Sequence, residues 1–150
     1  MINFFIATDT IPRTSAQQKG VQVVHGRPMF YTKAKVQDAK RFYAICLKAH
    51  RPPGPIEGAI KLIVNFYYPV RKPHKNGEPK TTRPDTDNMI KLLKDVMTDV
   101  GFWVDDSQIV HETVTKSYSE PSGIQIRLVR LDKQGNEVIE DETLYNYPGI

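Results

Sequence analysis

Residues Asp85–Gln108 read DTDNMIKLLKDVMTDVGFWVDDSQ, and this stretch decides the fold and the chemistry together. Two aspartates, Asp85 and Asp87, open it, and a second acidic pair, Asp105-Asp106, closes it. Between them Ile90, Leu93, Val96, Met97 and Val100 recur at helical spacing. That predicts an amphipathic helix from Asn88 to Val100, with the apolar stripe on a sheet and Gly101 as its C-cap. Phe102-Trp103 is expected in the core or a subunit interface.

The acids admit two readings. Asp87 can be the helix N-cap, its carboxylate accepting free backbone N–H groups. That accounts for one aspartate and leaves Asp85, Asp105 and Asp106 unexplained. A calcium loop of the D-x-D-x-[DN]-G type is excluded, because Met89 and Ile90 stand where a ligand and the turn glycine belong. The second reading is a hard cation held by carboxylates from separate elements. A helix of a dozen residues is about 18 Å long, so its flanking acids converge only if the following strand returns beside it or the preceding strand lies adjacent. Converged carboxylates repel one another unless a cation intervenes. Oxygen donors without His or Cys select Mg²⁺ or Mn²⁺ over zinc. Lys91 lies one turn after Asp87 on the same face. It is either a phosphate clamp that offsets transition-state charge or a surface partner of Asp95.

Upstream, Arg71–Arg83 reads RKPHKNGEPKTTR, with five basic residues (Arg71, Lys72, Lys75, Lys80, Arg83) against the single acid Glu78. Pro73, Gly77 and Pro79 oppose regular structure there. Leading straight into Asp85, such a loop is placed to hold a nucleic-acid backbone over an acidic metal site. Ala59–Val70, rich in β-branched and aromatic residues, is expected as a central strand. A helix is expected from Lys33 to His50, capped by Thr32, with Val36, Ala39, Phe42, Tyr43, Ile45, Cys46 and Ala49 at helical spacing and a basic side. Ile2–Ala7 reads as a strand, and Val21–Val24 and Pro28–Tyr31 as a hairpin turning at His25-Gly26-Arg27. Ile109–Tyr118 and Ile124–Leu131 alternate as strands and are expected to pair as a second hairpin.

The 150 residues suit one domain. One cysteine, Cys46, supports neither a disulfide framework nor a zinc cluster. No apolar run is long enough to cross a membrane, and a cytoplasmic protein is the expectation. From Asp132 on, five acids face one lysine, a net of −4; the whole chain carries +4, so residues 1–131 carry +8. A basic body with an acidic, mobile tail over 132–150 points to a polyanionic partner.

The segments R-P-D-T-D-N-M-I-K and G-F-W-V-D-D-S-Q-I-V resemble the RusA family of Holliday junction resolvases, small nucleases common in prophages. Weaker similarity runs through Pro12 and from Gly26-Arg27 to Lys33, so the resemblance covers a nuclease domain over 1–131. It implies an α+β (mixed α/β) fold, a small mixed sheet packed with two main helices, forming a homodimer. It implies a Mg²⁺-dependent endodeoxyribonuclease, with Mn²⁺ able to substitute, that cuts branched DNA by paired symmetric nicks in recombination and repair. No nucleotide cofactor is expected. By matching positions, Asp85, Asp87 and Asp106 would bind metal, Lys91 would support them, and Asp105, the neighbouring acid, is a further candidate ligand. Arg27 and Lys33 join the basic loop as expected DNA contacts. The alternative is a catalytically silent, structure-specific DNA-binding protein.

Overall fold

A computed structural model describes residues 1–13, 19–32 and 34–139 of the chain. The elements run β1 (Ile2–Ala7), β2 (Lys19–Val24), β3 (Arg27–Thr32), α1 (Ala34–Lys48), β4 (Ala59–Tyr68), α2 (Thr86–Val100), β5 (Ile109–Tyr118) and β6 (Gly123–Leu131), with a single 3-10 turn, Asp106–Gln108, leading into β5. The fold is α+β, as the resemblance implies. One sheet has the order β1-β6-β4-β5; β2 and β3 form a separate two-stranded sheet. The β2–β3 turn places His25 at φ 50° and Gly26 at φ 75°, the paired positive values a two-residue type I′ turn needs.

The expected pairing of β5 with β6 is overturned. β4 lies between them, parallel to β5 and antiparallel to β6. The reason is burial. β6 carries Ile124, Ile126, Leu128 and Val129, all nearly inaccessible, and belongs inside the sheet. β5 is mostly exposed and suits an edge. The chain therefore leaves β5 and passes the end of β4 before descending as β6.

Alternate residues of the sheet build the core: Ile60, Leu62, Val64 and Phe66 of β4 are completely buried, flanked by β6 and by Ile2, Phe4 and Ile6 of β1. Burying each such side chain contributes about 1.5–3 kcal/mol. The two helices pack together and close this face. Helix α1 contributes Val36, Ala39, Tyr43 and Leu47, whereas Ile45, expected inside, is 68% exposed. Cys46 is half-buried, and burial raises its thiol pKa. Helix α2 contributes the expected stripe together with Met89 and Leu92. No described helix is long and apolar enough to cross a membrane.

Residues 132–139 turn back on β6. Asp132 accepts from the backbone N–H groups of Gln134 and Asn136, Val138 N–H donates to the Arg130 carbonyl, and Glu137 meets Lys61 at 3.0 Å. The remainder of the expected tail, 140–150, lies outside the described residues.

Candidate active site

Helix α2 begins at Thr86, so Asp85 occupies the N-cap position and Asp87 lies inside the first turn, in place of the N-cap role considered for it. An N-cap aspartate ordinarily accepts a hydrogen bond from the first turn. Asp85 makes no such bond, so neither carboxylate oxygen is engaged in capping. Both side chains are exposed, at the positive end of the helix dipole.

Lys116 fixes the approach to this pair. Its ammonium donates to the carbonyls of Thr82 (2.6 Å) and Pro84 (2.7 Å), clamping the backbone just before Asp85. The basic loop is more ordered than its prolines and glycine imply. Gly77 N–H donates to the Tyr118 carbonyl, Tyr118 N–H to the Glu78 carbonyl and Lys80 N–H to the Lys116 carbonyl. The loop thus covers the outer edge of β5, which would otherwise present unpaired backbone groups. His74 stacks on Tyr118 at 4.0 Å between ring centroids and bonds Glu78 at 3.1 Å, and this bond is the main cause holding the Glu78 carboxyl below its usual range.

The second acidic pair is set by the turn after α2. Gly101, at φ 99°, donates to the Met97 and Thr98 carbonyls and ends the helix. Phe102 and Trp103 are core residues, and Trp103 Nε1 donates to Thr98 Oγ1 at 2.7 Å. Gln108 then holds the turn together. Its Oε1 accepts from the N–H groups of Val104 (2.9 Å) and Asp105 (3.1 Å); its Nε2 donates to the carbonyls of Ile56 (2.8 Å) and Gly58 (3.0 Å). Asp105 caps the turn, its side chain accepting from Ser107 N–H, the largest cause of its lowered pKa, and it forms a capping box with Gln108. Its carboxylate is therefore structural in this conformation. Asp106, next in sequence, is half-buried and faces α2.

Lys91 connects α2 to the second acidic pair. Its Nζ lies 2.9 Å from Asp95 Oδ1 and 3.6 Å from Asp106 Oδ2. The bond to Asp95 is the main cause that raises the Lys91 pKa, and Asp106 adds to it. Both readings of Lys91 thus have a counterpart in the geometry: it pairs with Asp95, and it stands beside the second acidic pair. Among the described residues, no three Asp, Glu, His or Cys side chains converge closely enough to hold one ion. The acids form two groups, Asp85 with Asp87 at the helix start and Asp106 beside Lys91.

The cations expected to contact DNA are placed as follows. Arg71, Lys72, Lys75 and Arg83 are exposed on the loop, Lys80 sits against two tyrosine rings, and Arg27 is exposed at the start of β3. Lys33 lies outside the described residues.

The family model for endodeoxyribonuclease RusA matches residues 10–129, a span that contains both acidic groups, Lys91 and the basic loop. The chain belongs to the RusA family. Among its relatives is a Lactococcus phage r1t protein named crossover junction endodeoxyribonuclease rusA, 33% identical over 135 residues, covering 85% of this chain and 97% of the relative. Another is YqaN, an uncharacterised protein of Bacillus subtilis (strain 168), 32% identical over 106 residues, covering 63% of this chain and 74% of the relative. RusA nucleases are generally divalent-metal dependent. The donor set here fits such an ion: Asp85 is free of capping work, and every candidate ligand is a hard oxygen. Mg²⁺ commonly uses only one or two carboxylates with water and substrate phosphate, so a preformed three-acid cage is not required.

Two residues carry positioning roles that the sequence reading does not assign: Gln108, quoted there only as part of a motif, and Lys116. Asp105-x-x-Gln108 has capping-box spacing, which was a usable signal for Gln108. Nothing local marked Lys116, whose partners are carbonyls in a distant loop.

Proposed function

We propose that this protein is a Mg²⁺-dependent endodeoxyribonuclease that resolves four-way DNA junctions, with Mn²⁺ able to substitute, and that it works as a cytoplasmic homodimer in recombination and repair. The match to the RusA family across both acidic groups carries this reading. The relative whose name specifies crossover junctions supports the substrate. In this scheme Asp85, Asp87 and Asp106 are the residues that would hold the ion, which would supply Lewis-acid charge to the phosphodiester. Lys91, oriented by Asp95, offsets negative charge that develops on the phosphate oxygens. Gln108 and Lys116 keep the two acidic groups in register. The exposed cations of the basic loop, with Arg27 and Lys33, bind the backbone of the junction arms.

A four-way junction yields ligatable duplexes only when two strands related by a two-fold axis are cut. A two-fold dimer presents one site to each. The exposed Val21 and Val23, on one face of the β2–β3 hairpin, support an apolar contact of the kind a second copy would cover.

Incubating the protein with a mobile four-way junction and mapping products on each strand tests the proposal. Paired nicks that require Mg²⁺ or Mn²⁺ are expected. Binding without cutting under every divalent ion would instead favour the silent DNA-binding alternative.

A further inference from the structure

Beside the start of α2 lies an open cleft of about 320 Å³, bounded by Asp9, Ile11, Arg13, Tyr68, Arg71 and Lys80. Its composition is one-sided. Three cations face it, and its one carboxylate, Asp9, already accepts a hydrogen bond from Ser122 Oγ at 2.6 Å. Among the described residues, no carboxylate forms an ion pair with Arg13, Arg71 or Lys80. Buried Ile11 forms an apolar part of the wall. Arg13 and Arg71 are exposed, so their guanidinium groups are accessible to a ligand.

The cleft is joined to the acids by two short connections. Tyr68 Oη meets Met89 Sδ at 3.7 Å, and Met89 is two residues beyond Asp87. Lys80 Nζ donates to Thr82 Oγ1 at 2.5 Å, and the Thr82 carbonyl is held by the same Lys116 that holds Pro84 before Asp85.

The chemistry selects a phosphate over a base. A stacking platform needs an open aromatic face, and Lys80 Nζ already stands 4.7 Å from the centre of the Tyr68 ring. That cation–π contact holds the lysine in place. Two arginines provide planar, multidentate donors matched to phosphate oxygens.

We propose that the Arg13–Arg71–Lys80 cleft is a second phosphate subsite, which holds a backbone phosphodiester of the DNA near the phosphate that is cut. This rests on the nuclease reading above. The subsite would set the register of the strand over the acidic groups. It assigns a DNA contact to Arg13, which lies outside the basic loop.

The test compares wild type with R13Q/R71Q, two exposed changes that leave the core intact. Junction affinity is measured against salt concentration, with Ca²⁺ replacing Mg²⁺ to prevent cutting. Loss of this one phosphate contact should flatten the dependence of log K on log salt by about 0.9, the change for one neutralised phosphate on duplex DNA. R13K/R71K should recover most of that slope, and K133Q, at the opposite end of the sheet, should leave it unchanged. In Mg²⁺, R13Q/R71Q should raise KM with kcat nearly kept. An unchanged slope in R13Q/R71Q, with wild type cutting normally, overturns the subsite and leaves the nuclease reading standing. A wild type that binds junctions but never cuts them overturns the nuclease reading; a reduced slope in the variant would still support the phosphate site. A wild type that binds no DNA overturns both.

Discussion

Nζ of Lys91 lies 3.6 Å from Oδ2 of Asp106, across the gap between α2 and the turn before β5. This ion pair ties the middle of α2 to the second acidic pair of the defining stretch. It brings residues separated by most of a helix onto one surface. It also reduces the repulsion between Asp106 and any approaching phosphate.

Asp106→Asn should therefore reduce junction cleavage more than about a hundredfold, since even loss of residues that merely orient metal ligands costs 10–100-fold. Junction binding should persist or tighten, because a negative charge facing DNA is removed. Gel-shift titration in Ca²⁺, alongside cleavage in Mg²⁺, checks both halves. Near-normal cutting would remove Asp106 from the site.

Lys91→Gln separates chemistry from stability. An exposed i,i+4 pair such as Lys91–Asp95 contributes only about 0.3–0.5 kcal/mol, so the urea midpoint should barely move. Cleavage should fall by about 10²–10³-fold if this ammonium offsets transition-state charge, the range seen when one such donor is removed. A variant that cuts normally assigns Lys91 to the surface pair alone.

Gln108→Ala should act on both stability and activity. Four hydrogen bonds to backbone groups disappear, and the net loss should be about 2 kcal/mol at roughly 0.5–1.5 kcal/mol for each bond, partly replaced by water. The 104–108 turn should loosen, and cutting should fall although no acid is altered. Urea denaturation and cleavage at a temperature where the variant is fully folded distinguish loss of positioning from loss of fold.

The elements whose own residues specify them were legible. The stripe on α2, the Gly101 stop, the β-branched and aromatic richness of β4 and the glycine turn of the first hairpin are local patterns, and all four elements are present. Helix α2 differs by two residues at its start, because Asp85 and Asp87 are both suitable N-caps and the chain uses the earlier one. The order of β5 and β6 was not legible, since strand alternation is blind to which neighbour a strand selects. The heavier burial of β6 was the available clue. At the site, the sequence named the acids but not what holds them. Gln108 reaches Ile56 across 52 residues and Lys116 reaches Pro84 across 32, distances no spacing argument covers.

Buried phenols should make the folded chain less stable at alkaline pH. Burial, the largest cause, pushes the Tyr68 pKa up to about 12 and raises that of Tyr43 further. An unfolded tyrosine ionises near pH 10. Between about pH 10 and 12 the unfolded chain has therefore lost protons that the folded chain keeps, and stability falls as pH rises through that window. Below it the full contribution is present. Tyr68→Phe should make the decline shallower, read from urea midpoints at pH 9 to 11.

Ending the chain at Ile139 should leave folding and cleavage unchanged, while ending it at Leu131 should keep the fold but lower the urea midpoint slightly. The shorter chain loses the turn at Asp132 and the contacts of Glu137 with Lys61 (3.0 Å) and Arg127 (4.0 Å). Lys61 and Arg127 would then face solvent unneutralised, and the shorter chain should bind DNA non-specifically more strongly at low salt. Comparing linear duplex affinity at two salt concentrations detects this. Equal affinity for the two truncations would show that Glu137 does not restrain non-specific binding, and failure of the shorter chain to fold would place 132–139 within the domain.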